Sequence, residues 1–391
     1  MKPKFFFINK ETCVRLKIFG EEIYKTLLHN HWQEVSEDEI KLADYVFINS
    51  CSFLKDKEDK CLSIINKAKQ KINYETQLVV FGCLPSVNSE AIKKIESNVL
   101  MFGRQMEIIQ NYFNLKPIND FSVNIIKKNL SFKEKIINFI NLFLKSDAIS
   151  FRLNEKNVYH LKISEGCLGK CTYCSEKFNT KFKSLPIKII LNRFKTGLKK
   201  GFKIFVFNSD DSSCFGKDNK ESIVQLLKEM FKTKDNFKLS ITEFNPQGLL
   251  QPNIIKHLSN KKIFSITIPI QSGSQKILDQ MRRPYKIDEI LPIVYKLKKY
   301  NPKIKINTHI IVGFPGESKL DFNKSIKILK FGLFNRVKIF RYSPRPNTIA
   351  SLMPNQIPEN EKFRRLKILK RVVLLQNILN MSLSDLLLNL I

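Results

Sequence analysis

Short apolar segments alternate with amphipathic segments along most of the chain. Up to about residue 112, the strand-like segments KFFFIN, ADYVFINSC and QLVVFGC are separated by GEEIYKTLLHNHW and DKCLSIINKAKQKI, whose apolar residues recur every three or four positions. Short β-rich runs that alternate with amphipathic helices are typical of a parallel α/β sheet. We therefore predict an α/β fold whose N-terminal domain, residues 1–115, is built on such a sheet.

The same alternation resumes at YHLKIS and continues for about 190 residues. Its strand-like segments are YHLKIS, FKIFVFNS, KLSITEF, FSITIPIQ, IKINTHIIVGF and RVKIFRYS. Six such units predict a partial (βα)6 barrel over residues 158–358, a fold in which the chemistry lies at the C-terminal ends of the strands. The Lys- and Asn-rich residues 116–157 are interpreted as a linker with one amphipathic helix. Residues 359–391 are interpreted as a helical tail that packs on the barrel, or less readily as a partner helix.

The charge of the chain is strongly positive. It has 67 Lys and Arg against 36 Asp and Glu, which gives a net charge of +31 at pH 7. Such a charge favours a polyanionic partner such as RNA, but a Lys-rich composition throughout the chain explains it as well. No stretch reaches the roughly 18 apolar residues that span a bilayer, and the N-terminus does not have the pattern of a signal peptide. We expect a soluble, cytoplasmic protein with no membrane partner.

Three of the eight cysteines lie in SEGCLGKCTYCSEK, just after a predicted barrel strand. In a reducing compartment, clustered cysteines bind metal or do redox chemistry more often than they form disulfides. A zinc site requires four ligands, whereas Cys167, Cys171 and Cys174 suit a 4Fe-4S cluster with one open iron. Such a cluster can bind S-adenosylmethionine and reduce it to a radical, and the ring of Tyr173 can lie beside the adenine. The alternatives are a chance grouping of cysteines and a CxxC redox pair.

A second set of cysteines, Cys13, Cys51 and Cys83, lies after or near strands of the N-terminal domain. Because successive strand ends of a parallel sheet lie along one edge, these cysteines can converge. A single buried cysteine after a strand is usually inert, but three at equivalent strand ends favour a second iron–sulfur cluster. Cys61 and Cys214 are interpreted as packing residues.

Several segments resemble a known family. ADYVFINSC, VVFGCL, KISEGCLGKCTYC, PIQSGSQKILDQMRRPY, IIVGFPGESKLDF and YSPRPNTIASLMPNQIP are similar to segments of the radical S-adenosylmethionine methylthiotransferases, and the resemblance runs from about residue 4 to 380. This family inserts a methylthio group into a tRNA adenosine derivative next to the anticodon, or into an aspartate of a ribosomal protein. The resemblance implies two 4Fe-4S clusters, a radical cluster on the barrel triad and an auxiliary cluster on the N-terminal set. It also implies S-adenosylmethionine, an electron donor and a sulfur source.

The resemblance also gives roles to barrel residues. Gln271 and Ser272 of PIQSGS offer polar groups to the cofactor or the substrate, with a polar cap inside the barrel as the structural alternative. The loop FNSDDSSCFGKD contains Asp210 and Asp211, which are candidates for substrate contact at the barrel mouth or for ordinary solvated carboxylates.

The segment GFPGE is the remaining candidate for cofactor binding. Gly313 and Gly316 would let the backbone approach the adenosyl group closely. A plain turn at Pro315 explains the same letters.

The sequence departs from the family pattern in four places. An Arg-Gly pair that commonly follows the triad is absent from SEKFNTKFKSLP, His309 stands where Asp is usual, and Leu16 replaces an Asn near Cys13. The small C-terminal β-barrel that grips the substrate has no counterpart. We therefore expect the positive charge of the main body or a separate substrate-gripping subunit to take over that role, unless the chain is truncated or decaying.

Two segments favour tRNA as the substrate. PIQSGS is typical of tRNA-directed members, and GCLGKCTYC with EFNPQGLL is closest to members that act on threonylcarbamoyl-adenosine at position 37 rather than isopentenyl-adenosine. INSCSFL is closer to the protein-modifying branch. We predict methylthiolation of tRNA threonylcarbamoyl-adenosine. The alternatives are methylthiolation of a ribosomal-protein aspartate and a non-catalytic iron–sulfur relative that binds RNA.

Overall fold

Two parallel sheets form the framework of the protein. The computed structural model describes residues 2–118 and 158–379, so most of the predicted linker 116–157 and the end of the predicted tail lie outside the described residues. The described residues contain a five-stranded and a six-stranded parallel sheet, together with one short antiparallel pair. The α/β class predicted from the sequence is confirmed, whereas the exact domain boundaries stay predictions.

The first sheet has the strand order β2-β1-β3-β4-β5. Its strands are β1 (Lys4–Ile8), β2 (Gln33–Glu34), β3 (Tyr45–Ser50), β4 (Gln77–Gly82) and β5 (Val99–Phe102). Its helices are α1 (Val14–His29), α2 (Lys55–Lys71), α3 (Leu84–Val87), α4 (Ser89–Lys93) and α5 (Met106–Tyr112).

Both faces of this first sheet are buried. Alternate residues of a strand point to opposite faces, and in β3 and β4 Ile48 and Val80 enter one apolar cluster while Phe47 and Val79 enter another. Helices cover each face, which explains why these strands are almost continuously apolar.

The second sheet has the order β13-β12-β11-β10-β9-β6. Its strands, with the antiparallel pair β7 and β8, are β6 (Val158–Lys162), β7 (Ser164–Glu165), β8 (Lys183–Ser184), β9 (Ile204–Asn208), β10 (Lys238–Ile241), β11 (Ile263–Thr267), β12 (Lys305–Val312) and β13 (Arg336–Arg341). The helices are α6 (Ile187–Lys199), α7 (Ile223–Phe231), α8 (Ile254–Leu258), α9 (Gln275–Gln280), α10 (Ile287–Tyr300), α11 (Lys319–Lys330) and α12 (Glu359–Leu379). The six main strands follow one another in chain order with β6 and β13 at the edges, which is the arrangement of an open βα barrel.

The last helix, α12, packs on the barrel. Leu369 and Val373 enter the barrel core, and Arg365 forms a buried ion pair of 2.6 Å with Glu317, which follows β12. In the part of the chain that the structure describes, no helix is long and apolar enough to cross a membrane.

A buried ion pair joins the two sheets. Glu58 of α2 contacts Arg345, which follows β13, and their side chains are only 2% and 3% exposed. Asn88 Nδ2 donates a further hydrogen bond of 3.1 Å to Glu58 Oε1. Two charges removed from water are tolerated only when they are paired and hydrogen-bonded, so this contact fixes the position of α2 against the barrel.

Glu58→Gln removes the charge that faces Arg345 and keeps the size of the side chain. It should lower the free energy of unfolding by about 3 kcal/mol, because it leaves a buried guanidinium without a counter-charge. Urea denaturation followed by circular dichroism measures the change. Glu90→Gln is the matched control, since Glu90 pairs with Lys93 at 3.2 Å in an exposed position, where such pairs contribute little. Equal losses in both variants would contradict the prediction.

Candidate active site

One cavity of about 520 Å³ lies where the C-terminal ends of the two sheets face each other. Residues after β3, β4, β6, β9, β10 and β13 contribute to its wall. All six cysteines of the two predicted sets line it, namely Cys13, Cys51, Cys83, Cys167, Cys171 and Cys174. The fold therefore brings both sets to one space, while Cys61 and Cys214 are absent from its wall.

The three thiols of the N-terminal cysteine set differ in acidity. Cys13 is exposed and is the N-cap residue of α1. A hydrogen bond from Cys51, helped by the nearby charge of Arg15, holds the pKa of Cys13 well below its usual value. The same hydrogen bond and burial raise the pKa of Cys51, and burial raises that of Cys83. Cys13 is therefore the most acidic thiol of this set.

The barrel triad lies on a loop that distant segments hold in place. Thr172 N donates to Met281 O at 3.1 Å, and Ala350 N donates to Thr172 O at 2.9 Å. Arg283 Nη1 donates to Cys171 Sγ at 3.4 Å. Burial raises the pKa of Cys174 to about 12. Residues that are more than 100 positions away in the chain thus hold the loop in place.

Glycine leaves room between two sulfurs of the triad. A Cβ at Gly169 would lie 3.1 Å from Cys167 Sγ and 3.7 Å from Cys171 Sγ, so both sulfurs flank one point. Three thiolates on one loop fit a 4Fe-4S cluster, in which each thiolate binds a different iron, better than a zinc site, which requires four ligands.

Polar atoms on the cavity wall also fit a bound cofactor. Gln271 Oε1, Asn307 Oδ1 and Arg345 Nε are buried and have no hydrogen-bond partner among the described residues. Buried polar atoms almost always have partners, so these atoms are available to a ligand. Gln271 also has a φ of 63°, held by a 2.8 Å hydrogen bond from its N to His309 O, and such conformations concentrate at functional sites.

The structure divides the other predicted cofactor residues into two groups. Tyr173 and Gln271 line the cavity, and the Tyr173 ring lies edge-on to Phe314. Ser272 is fully buried behind the wall, where its hydroxyl accepts a hydrogen bond of 3.1 Å from Ser274 N.

Neither glycine of GFPGE lines the cavity. Gly313 and Gly316 have φ of 73° and 76°, a conformation that favours glycine. A Cβ on Gly313 would lie 2.4 Å from Lys362 Cγ, and its N donates to Glu317 Oε2 at 2.7 Å. The close approach at this loop is therefore to α12.

The two predicted aspartates are committed to protein partners. Arg104 Nη2 and Gly166 N donate to Asp210 Oδ2 at 2.9 and 2.8 Å. Although burial opposes it, the charges of Arg104 and Arg15 hold the pKa of Asp210 below its usual value. Asp211 is 3% exposed and accepts a 2.9 Å hydrogen bond from Ser213 N. The interpretation of these carboxylates as solvated is wrong, and their contact with substrate stays a prediction.

Sequence reasoning missed the arginines of the site. Arg15, Arg104 and Arg283 each contact or neighbour a cysteine or an aspartate of the cavity wall. The only available signal was position, because Arg104 follows β5 much as Cys51 and Cys83 follow β3 and β4.

Comparison with known proteins agrees with this geometry. Residues 161–329 match the family described as "Radical SAM superfamily", and residues 13–103 match "Uncharacterized protein family UPF0004". Among solved structures, the radical S-adenosylmethionine methyltransferase TsrM from Kitasatospora setae has a TM-score of 0.62 at 10% identity, with 90% of this chain and 77% of that chain covered. At that identity the likeness shows the fold alone.

Curated relatives match over most of the chain. It is 31% identical to a "Probable threonylcarbamoyladenosine tRNA methylthiotransferase" of Pyrococcus abyssi, covering 94% of this chain and 83% of the relative. Identity is 28% to the "Threonylcarbamoyladenosine tRNA methylthiotransferase MtaB" of Thermotoga maritima, covering 84% and 73%. It is also 28% to the "Ribosomal protein uS12 methylthiotransferase RimO" of Chlamydia pneumoniae, covering 95% and 77%. The chain belongs to the radical S-adenosylmethionine methylthiotransferase family.

Proposed function

We propose that this protein inserts a methylthio group into threonylcarbamoyl-adenosine at position 37 of tRNA. The observation that carries the proposal is that two sets of three cysteines, one from each sheet, line a single cavity of about 520 Å³. A reaction that combines radical chemistry with sulfur insertion requires the radical site and the sulfur site to face the same substrate.

The cysteines of each set would hold one 4Fe-4S cluster. Cys167, Cys171 and Cys174 would bind the cluster whose open iron takes S-adenosylmethionine, and the N-terminal set would bind the auxiliary cluster. When bound, these groups supply radical chemistry and the sulfur that is inserted. The proposal requires a reducing electron donor and a sulfur source as partners.

Residues of the chain would orient the ligands in the cavity. Arg283 is 8% exposed and donates to Cys171 Sγ and, at 3.0 Å, to Pro269 O, so it fixes one sulfur of the triad against the barrel. Tyr173 presents its ring to the cavity beside the triad, where an adenine could stack. The unpartnered Gln271 Oε1 offers an acceptor to an amino or hydroxyl group.

One lysine of the cavity wall favours a substrate with an anionic group. Lys338 lines the cavity, and its Nζ lies 4.8 Å from the Phe340 ring centroid. With Arg345 Nε it could bind the carboxylate of a threonylcarbamoyl group, whereas an isopentenyl group offers no acceptor. The net charge of +31 suits tRNA phosphates, and a splayed anticodon-loop base can enter a deep site.

A ribosomal-protein aspartate is the second candidate substrate. Relatives named as ribosomal protein uS12 methylthiotransferases cover as much of this chain as those named for tRNA, and an aspartate also has a carboxylate for the same cations. Of tRNA and the ribosomal protein, the net charge of +31 favours tRNA.

The reactivity of the thiols tests the site before any cluster is built. In the reduced, iron-free protein at pH 7, Cys13 should react with iodoacetamide at least about tenfold faster than Cys83, because only a thiolate is nucleophilic. Its rate should rise less with pH between about 7 and 9 than that of Cys174, since the pKa of Cys13 is lowered and that of Cys174 is raised to about 12. Peptide mass spectrometry measures both rates, and urea-unfolded protein is the control. Failure of iron and sulfide to protect Cys13 would contradict its role as a ligand.

Single cysteine variants separate the two clusters. After anaerobic reconstitution, Cys83→Ala should lose about half of the bound iron and still cleave S-adenosylmethionine, because the radical cluster remains. Cys171→Ala should abolish the cleavage. Cys61→Ala is the matched control, since Cys61 is a buried cysteine of α2, in the same half of the protein, that does not line the cavity. Full iron content in Cys83→Ala would rule out the auxiliary cluster.

Nucleoside analysis tests the substrate. Cells that lack the gene should lose methylthio-threonylcarbamoyl-adenosine from digested tRNA, and the wild-type gene should restore it while Cys171→Ala does not. Mass spectrometry of the digests measures this. Unchanged tRNA together with loss of a methylthio-aspartate would favour the ribosomal protein. Reconstituted protein that never cleaves S-adenosylmethionine would favour a non-catalytic relative.

A further inference from the structure

The loop after Cys174, where the sequence departs from the family pattern, connects the two cysteine sets. Glu176 begins a 3-10 turn, Glu176–Phe178, two residues beyond the last cysteine of the barrel triad. Its Oε1 lies 3.9 Å from Cys83 Sγ, and its Oε2 accepts a 2.7 Å hydrogen bond from Arg104 Nη1. A residue on the loop of one set thus touches a cysteine of the other.

Glu176 also belongs to a buried ionic network. Arg104 donates to Asp210 Oδ2 at 2.9 Å, and Asp210 contacts Arg15, which lies two residues after Cys13. The side chains of Glu176, Arg104 and Asp210 are 12%, 8% and 3% exposed. Two guanidinium groups balance two carboxylates, so no member can be removed without leaving a buried charge unpaired.

This placement gives Glu176 two effects on a cluster at Cys83. Its bond to Arg104 holds the barrel-triad loop against the first sheet. Its negative charge acts on Cys83 through a mostly buried space, where screening by water is weak. Net charge beside a cluster is one of the factors that set its reduction potential, and a nearby carboxylate disfavours the arrival of an electron.

We propose that Glu176 is a positioning residue that couples the two cysteine sites, by fixing the barrel-triad loop against Cys83 and lowering the reduction potential of the auxiliary cluster. This inference rests on the two-cluster function proposed above. The segment after Cys174, where the sequence departs from the family pattern, thereby has a role.

Redox titration of the reconstituted full-length protein, followed by electron paramagnetic resonance, tests the inference. Signals of the auxiliary cluster are assigned as those missing from Cys83→Ala. Glu176→Gln keeps the shape of the side chain and removes its charge, so the midpoint potential of the auxiliary cluster should rise. Glu176→Asp keeps the charge but retracts it from Cys83, so the rise should be smaller. A role in folding alone would not produce this graded series.

Glu107→Gln is the matched control. Glu107 of α5 pairs with Lys183 of β8 at 2.7 Å and so also joins the two halves of the protein, but both side chains are more than half exposed. Its loss should leave the potential unchanged.

The outcomes separate the inference from the proposed function. A wild-type protein with only one cluster overturns the two-cluster function, and this inference with it. Two clusters whose potentials are the same in folded Glu176→Gln and wild type overturn the inference alone. If Glu176→Gln does not fold, Glu176→Asp decides, and a potential unchanged from wild type in that variant overturns the inference.

Discussion

The ion pairs of Arg104 fix the positions of the two sheets relative to each other at the cavity. Its guanidinium comes from the end of β5 and binds Glu176 and Asp210, which both belong to the barrel half. Buried charges tolerate few alternative arrangements, because each must face its partner at hydrogen-bond distance. The facing of the two cysteine sets depends on this constraint, since neither sheet alone encloses the cavity. Glu58 and Arg345 add a second buried pair between the halves.

Parallel topology explains why the cysteines converge, and this part could be predicted from the sequence. Strand ends of a parallel sheet share one edge, so Cys51 and Cys83, which follow the neighbouring strands β3 and β4, lie side by side. The apolar runs in the sequence also located all six barrel strands, because buried parallel strands are almost continuously apolar. The barrel triad could be recognised from a short segment of the sequence, because its three cysteines lie on one loop.

Contacts between distant segments could not be predicted in the same way. Nothing in the letters near Asp210 indicates that its partners are Arg15 and Arg104, because an ion pair leaves no periodic pattern. The GFPGE segment was predicted to approach the adenosyl group, and that contact stays a prediction, whereas the close approach that the structure shows at Gly313 is to Lys362 of α12. Ser272 and Gln271 are adjacent in sequence, yet only Gln271 reaches the cavity.

The arginines that were not predicted from the sequence explain how thiolates can be stabilised in a cavity with little access to water. Each cysteine set has a guanidinium beside it: the charge of Arg15 helps to lower the pKa of Cys13, and Arg283 donates to Cys171 Sγ. Burial keeps the pKa of Cys83 and Cys174 high, so a metal that binds there would have to displace their protons. The thiolates of a bound cluster would bring further negative charge into the same space. Cations already fixed by buried bonds require no reorganisation when that charge arrives, which is the condition under which electrostatic stabilisation is strongest.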